Sequence, residues 1–206
     1  MSIIDRIKNI IITPKTEWPV INGENETPTS LLSKYVIPLL IIGAVAAFIG
    51  YGFVGIDAFF FKIKGVKWGA WFAIRQLLSG VVGYFVATYV IDSLAPSFSS
   101  EKNLGKSAQL VAYASTPSWV AAIFMILPSL SILGLLGLYG IYLFYIGLPV
   151  LKKTPDDKRL AYMIVSALVI IVCAWAAQWL IGMILNPIMG DPYANSVNDI
   201  KNLFNK

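Results

Sequence analysis

The sequence predicts an all-α fold: a polytopic membrane helix bundle of five transmembrane helices, preceded by an N-terminal amphipathic helix. Three observations predict it. Hydrophobic residues make up 57% of the 206 and charged residues only 13%, against about a quarter in a soluble domain, so lipid must cover what water cannot. Five apolar windows reach the roughly 20 residues that a helix needs to cross a hydrocarbon core. The basic residues lie mostly in the joints between those windows, where topology signals belong.

The elements follow in chain order. "MSIIDRIKNIII" places Ile3, Ile4, Ile7, Ile10 and Ile11 at helical spacing, with Asp5, Arg6, Lys8 and Asn9 on the other face. Ser2 caps this helix and Pro14 ends it. Its apolar stripe lies either flat in the cytoplasmic interface or on the protein's own loops. "NGENETPTS" is a polar linker, so residues 1–34 read as a cytoplasmic arm. The five windows are Tyr35–Ile56, Trp68–Ile91, Ala108–Leu127, Leu130–Leu151 and Leu160–Leu185. Together they make residues 35–185 the membrane domain and leave 186–206 as a short outward tail, weakly amphipathic through Val197, Ile200, Leu203 and Phe204. Only Pro128-Ser129 separates the third and fourth windows, which predicts a tight helical hairpin; a broken pair of half-spans is the alternative.

Lysine and arginine counts set the orientation. Arg6, Lys8, Lys15, Lys34, Lys102, Lys106, Lys152, Lys153, Lys158 and Arg159 fall on one side, and Lys62, Lys64, Lys67, Lys201 and Lys206 on the other. The balance places the N-terminus in the cytoplasm and the C-terminus outside. The scatter of these cations through loops argues for anionic lipid headgroups at the cytoplasmic face and against nucleic acid.

Several chemistries are excluded. Without histidine there is no Ser-His or Cys-His pair, no HExxH zinc site and no histidine proton relay. The lone Cys173 excludes an internal disulfide. No Asp or Glu falls inside any window, which argues against an ion-coupled carrier. Leu104-Gly105-Lys106-Ser107 looks like the tail of a phosphate loop, but Ser100 stands where the first glycine is needed. No catalytic residue, cofactor or metal ligand is predicted.

Three groups of residues remain as candidates. The first is a polar membrane cluster. Arg75 and Gln178 each lie seven residues, about 10 Å, from the outer end of their windows. Polar groups at matching depth on different helices can hydrogen-bond. Gln76 stands beside Arg75, and Asp57, at the outer end of the first window, is the candidate counter-ion. The second is a kink at Ser115, Thr116 and Pro117, where proline frees a carbonyl and hydroxyls can re-satisfy the backbone. The third is a cytoplasmic interaction face formed by Trp18, Lys152, Lys153, Lys158 and Arg159, for anionic headgroups or an unidentified protein partner. Small residues (Gly43, Ala47, Gly50, Ser79, Gly83, Ala87, Gly137, Gly140, Gly147) let helices approach within the monomer or, alternatively, in a homo-oligomer.

Three stretches resemble a known family. "TPKTEWPVI" (Thr13–Ile21) is similar to the proline–acid–tryptophan segment before the spans in bacterial members of the Yip1 family. "LVAYASTPSW" resembles its tyrosine-and-proline motif, with Tyr113 and Pro117 at the matching positions, and "YIGLPVLKKTPDDKRLAY" resembles the segment joining its last two spans. The resemblance implies a five-span, non-enzymatic integral membrane protein with a membrane-organising or partner-binding role. It implies a bacterial cytoplasmic (inner) membrane, or alternatively an ER/Golgi membrane. Eukaryotic members bind Rab-type GTPases, but the chain lacks their longer N-terminal region and acidic Leu-Tyr-Gly-Pro signature. The reading from another class is a small-solute or lipid transporter or channel built around Arg75 and Gln178.

Overall fold

The structure, a computed structural model, describes residues 1–58, 61–192 and 194, and only the backbone of 56–58, 61–63 and Ser131. Five helices are long and apolar enough to cross a membrane: Pro28–Val54, Val66–Phe98, Leu104–Ile126, Ile132–Lys152 and Asp156–Met189, called spans one to five. Each overlaps one predicted window, so the fold is the expected all-α bundle.

The helices outrun their windows because capping groups extend them. Thr27 accepts from the Ser30 amide and Pro28 supplies the first helical residue, so span one starts inside the arm expected at 1–34. Asn103 likewise opens span three by accepting from the Lys106 amide, and Asp156 and Asp157 occupy the first turn of span five. Span one is α3 (Pro28–Leu31), a π segment at Leu32–Val36, α4 (Ile37–Ile49) and a second π segment at Gly50–Val54. It is linked to span two by a two-stranded antiparallel hairpin, β1 (Ile56–Ala58) with β2 (Phe61–Ile63). Span two contains α5 (Val66–Leu94).

Spans three and four form the expected hairpin, though neither is a continuous α-helix. Span three is α6 (Leu104–Ala114), a break at Ser115, α7 (Thr116–Ala121) and a 3-10 turn over Ala122–Ile126. Leu127 is extended, a second 3-10 stretch covers Pro128–Leu138, and α8 (Tyr139–Lys152) completes span four. Span five is a single 34-residue helix, α9 (Asp156–Met189), packed mainly on α5. The tail at 195–206, with its four apolar positions, lies outside the described residues.

Ahead of the spans stand α1 (Ile3–Ile12) and α2 (Pro14–Asn22). Ser2 caps α1 as predicted, and Pro14 opens α2 as well as closing α1. The apolar stripe of α1 turns onto the protein: Ile10 is fully buried and Ile3, Ile7 and Ile11 pack on the main core. Arg6, expected on the wet face, is buried with them.

Close helix approach explains most of the small residues. A Cβ on Gly43 would lie 2.9 Å from the Ala122 Cβ, on Gly140 2.5 Å from the Ala114 carbonyl, and on Gly147 2.8 Å from the Trp18 ring. Gly83 has nothing within 4 Å. The tightest site is Gly50, where a Cβ would sit 1.9 Å from the Met125 carbonyl oxygen. Backbone cannot yield there as a flexible side chain could, so Gly50→Ala is expected to cost about 3 kcal/mol, read as unfolding in detergent–SDS mixed micelles.

Candidate functional site

The polar residues of the bundle gather at two ends. At the end carrying Lys152, the last turn of α8 aims that side chain inward, where it is completely buried. Its Nζ donates to Ser107 Oγ at 2.7 Å, to Asp92 Oδ1 at 3.2 Å and to the Asn103 carbonyl at 3.2 Å. Ser107 Oγ also lies 3.1 Å from Asp92 Oδ1. Three spans therefore converge on one ammonium. Ser107 is itself buried and spent on this cluster, and Lys106 Nζ donates to the carbonyls of Asn22 and Glu24. Leu104–Ser107 is a helix start, and no phosphate loop is formed.

Beside this cluster, Arg6 joins α1 to α2. Its guanidinium donates to Glu17 at 2.5 Å and pairs with Glu24, and it stacks over the Tyr113 ring at 5.3 Å. Gln109, fully buried, donates Nε2 to the carbonyls of Ile21 and Glu24. Tyr35 Oη and Thr116 Oγ1 are 2.8 Å apart, tying span one to span three at the break.

The predicted cytoplasmic face is corrected at two positions. Trp18 is 1% exposed and packs edge-on to Tyr113, because Gly147 leaves room for its ring. Lys152 is buried because Asp92, one residue past the second predicted window, needs a counter-ion. Neither offers a surface to a partner. Lys153 does face outward, pairing with Glu101 at 2.7 Å, and its ammonium holds the Glu101 carboxyl below the usual range. Lys158 donates to Ser99 Oγ at 2.7 Å, while Arg159 pairs with Asp156 and lies over the Tyr145 ring.

At the opposite end, Arg75 Nε donates to Gln178 Oε1 at 2.9 Å, so the two groups at matching depth do meet. The guanidinium also lies over the Trp71 ring at 4.8 Å, and Trp71 Nε1 donates to Asn186 Oδ1 at 3.3 Å. Gln76 points elsewhere, toward Gly43 on span one. Asp57 lies in β1, backbone opposite Lys62, with its side chain outside the described residues. Arg75, Gln178, Trp179 and Asn186 line an open cavity of about 550 Å³.

Ser115, Thr116 and Pro117 form the break between α6 and α7. Thr116 Oγ1 donates back to the Ala112 carbonyl at 3.3 Å and Pro117 is buried. Ser115 lines a separate, mostly apolar cavity of about 420 Å³ between spans two to five, shared with Ser166, whose buried hydroxyl has no partner. Among the described residues, no three His, Cys, Asp or Glu side chains are placed to hold a metal. The arrangement offers ion pairing and hydrogen bonding that hold helices together, and the cavities at Arg75 and at Ser115 are open to the surroundings.

Of the residues singled out in sequence, Tyr113 sits where Arg6, Trp18 and Tyr35 converge, and Pro117 is buried next to the Thr116 that bonds Tyr35. A family model agrees: the Yip1 domain matches residues 8–178. The chain belongs to the Yip1 domain family. No curated protein and no solved structure matches it. For a Yip1-domain chain, the start of the match at residue 8 is informative. It takes in the second half of α1 and all of α2, so the matched region joins part of the N-terminal pair to the spans.

Several residues that hold the Yip1 bundle together escaped the sequence reading. Asp92 was hidden by lying just past an apolar window, and Arg6, Glu17 and Glu24 by looking like ordinary solvated charges. One signal could have found Glu17: it is the single acid in the segment between Pro14 and Trp18.

Proposed function

We propose that this Yip1-domain protein is a non-enzymatic organiser of its membrane, a bacterial inner membrane with the N-terminus cytoplasmic. In this reading it works through contacts with lipid headgroups or a protein at the end bearing Lys153, Lys158 and Arg159. One observation carries this: the buried charges Arg6, Glu17, Asp92 and Lys152 are each tied to another part of the same chain. Each of these groups is committed to a partner within the bundle, which leaves none of the four unpaired to bind a solute or coupling ion. The hydroxyl that Lys152 meets, Ser107 Oγ, is buried against Asp92 and the Asn103 carbonyl and lines neither the Arg75 nor the Ser115 cavity.

The transport reading keeps one specific observation in its favour, the open cavity beside Arg75 and Gln178. Purified protein in vesicles separates the two. The organiser reading expects no solute or lipid flux above protein-free vesicles, together with unequal protein density between a flat vesicle and a tube drawn from it. Flux abolished by Arg75→Leu in a protein that still folds, with equal density on tube and vesicle, would overturn it.

A further inference from the structure

The depth of the α1–α2 pair follows from two internal rulers and bears on a different question from the overall role. The end of α2 is fixed at the first turns of span three by Lys106 and Gln109, which donate to carbonyls at Ile21, Asn22 and Glu24. Half-way along, the Trp18 ring and Leu110 close over Gly147. At the joint between the two helices, Tyr139 Oη donates to the Ile11 carbonyl at 3.0 Å, and Ile11 shares a cavity with Pro117 and Phe124.

Tyr139 and Lys152 are opposite ends of a 14-residue helix, roughly 20 Å apart. Along span three, Pro117 lies about 20 Å from Leu104, where the span begins. Both rulers put the α1–α2 joint the same distance below the level of Lys152. That level is polar: it carries the exposed Lys153–Glu101 pair. A hydrocarbon core is about 30 Å thick, so the joint lies well inside it. The chain then returns along α1, where Arg6 meets Glu17 and Glu24.

The joint is built for that environment. Backbone groups at membrane depth must be satisfied internally, and here the Thr13 amide donates to the Asn9 carbonyl while the amides of Thr16 and Glu17 donate to the Thr13 carbonyl. Thr13 Oγ1 adds a bond to Asn9, Tyr139 covers Ile11, and Pro14 has no amide hydrogen to satisfy. Outward from the bundle stand Ile4 and Ile12, at 72% and 65% exposure. Lys8, Lys15 and Thr16 are also exposed on that side, and the apolar stems of the two lysines can lie along acyl chains.

We propose that α1–α2 is a re-entrant helical hairpin lodged in one leaflet, its joint at Ile11–Pro14 packed among the acyl chains of lipids on the Lys152 side. It enters and leaves by the same face and displaces lipid from that leaflet alone. The partner surface is therefore hydrocarbon, where an interfacial helix would meet headgroups.

Spin labels measure this depth. In a Cys173→Ala chain reconstituted in phosphatidylcholine vesicles, single labels go at Ile12→Cys, at Asn25→Cys as the aqueous reference and at Val172→Cys as the lipid reference. The Ile12 label is expected to show an oxygen-over-nickel-chelate accessibility ratio matching the Val172 label and several-fold above the Asn25 label. A ratio equal to that at Asn25 overturns the proposal. Should the Ile12 variant misfold, hydroxyl-radical footprinting of the unsubstituted chain in the same vesicles decides. Oxidation at Ile11–Pro14 several-fold below that of the linker at 22–27 is expected, and equal oxidation overturns it.

Discussion

Replacing Lys152 with methionine is expected to destabilise the protein by about 3–5 kcal/mol, the cost of leaving a buried charge without its partner. Asp92 and Ser107 both depend on the Lys152 ammonium, and the lysine side chain is 0% exposed. The loss falls on spans two, three and four together. For a chain of this length it corresponds to a drop in Tm of about 10 °C, read by thermal unfolding in detergent. The double variant Lys152→Met with Asp92→Leu should recover most of the loss, because an apolar pair of similar volume leaves no orphaned charge. A single variant as stable as the parent would show that Asp92 is solvated in the folded protein.

Arg6→Met is the second large effect, also about 3–5 kcal/mol. Glu17 is buried beside it with a side chain 5% exposed, and Glu24 shares the same guanidinium. Losing Arg6 strands Glu17 between α1 and α2, and the hairpin is expected to detach from span three. Two readings check this: a fall in stability, and new proteolytic cleavage between Asn22 and Pro28. Arg6→Lys should recover only part, since an ammonium is a point charge and cannot span two carboxylates as a guanidinium fork does. Lys8→Met, an exposed neighbour on the same helix, is expected to move stability by less than about 0.5 kcal/mol.

How much of this was legible in the sequence varies with the residue. The Arg75–Gln178 contact could be anticipated, since two polar groups in apolar helices of opposite direction lie at equal depth and have few other partners. Gly43, Gly50, Gly137, Gly140 and Gly147 could be read as close approaches, though not which backbone each would meet. In the sequence Trp18 and Lys152 look like surface residues, because a tryptophan near a membrane and a lysine in a charged turn usually are. Their burial depends on a glycine and an aspartate far away in the chain. Arg6 escaped for the same reason: its two carboxylates lie beyond the helix whose periodicity placed it among polar neighbours.

The five spans, their approximate limits and the tight hairpin at Pro128 were determined by the sequence alone. Hydrocarbon selects for continuous apolar length and closed backbone hydrogen bonding, and both are properties of a segment taken by itself. The tertiary structure alone decided where the charges go. It drew Lys152 inward to Asp92, closed α1 on α2 through Arg6, and sank their joint about 20 Å below the Lys152 level. A charge next to an apolar run is equally compatible with water and with a buried partner. Only the packing of distant helices removes the water.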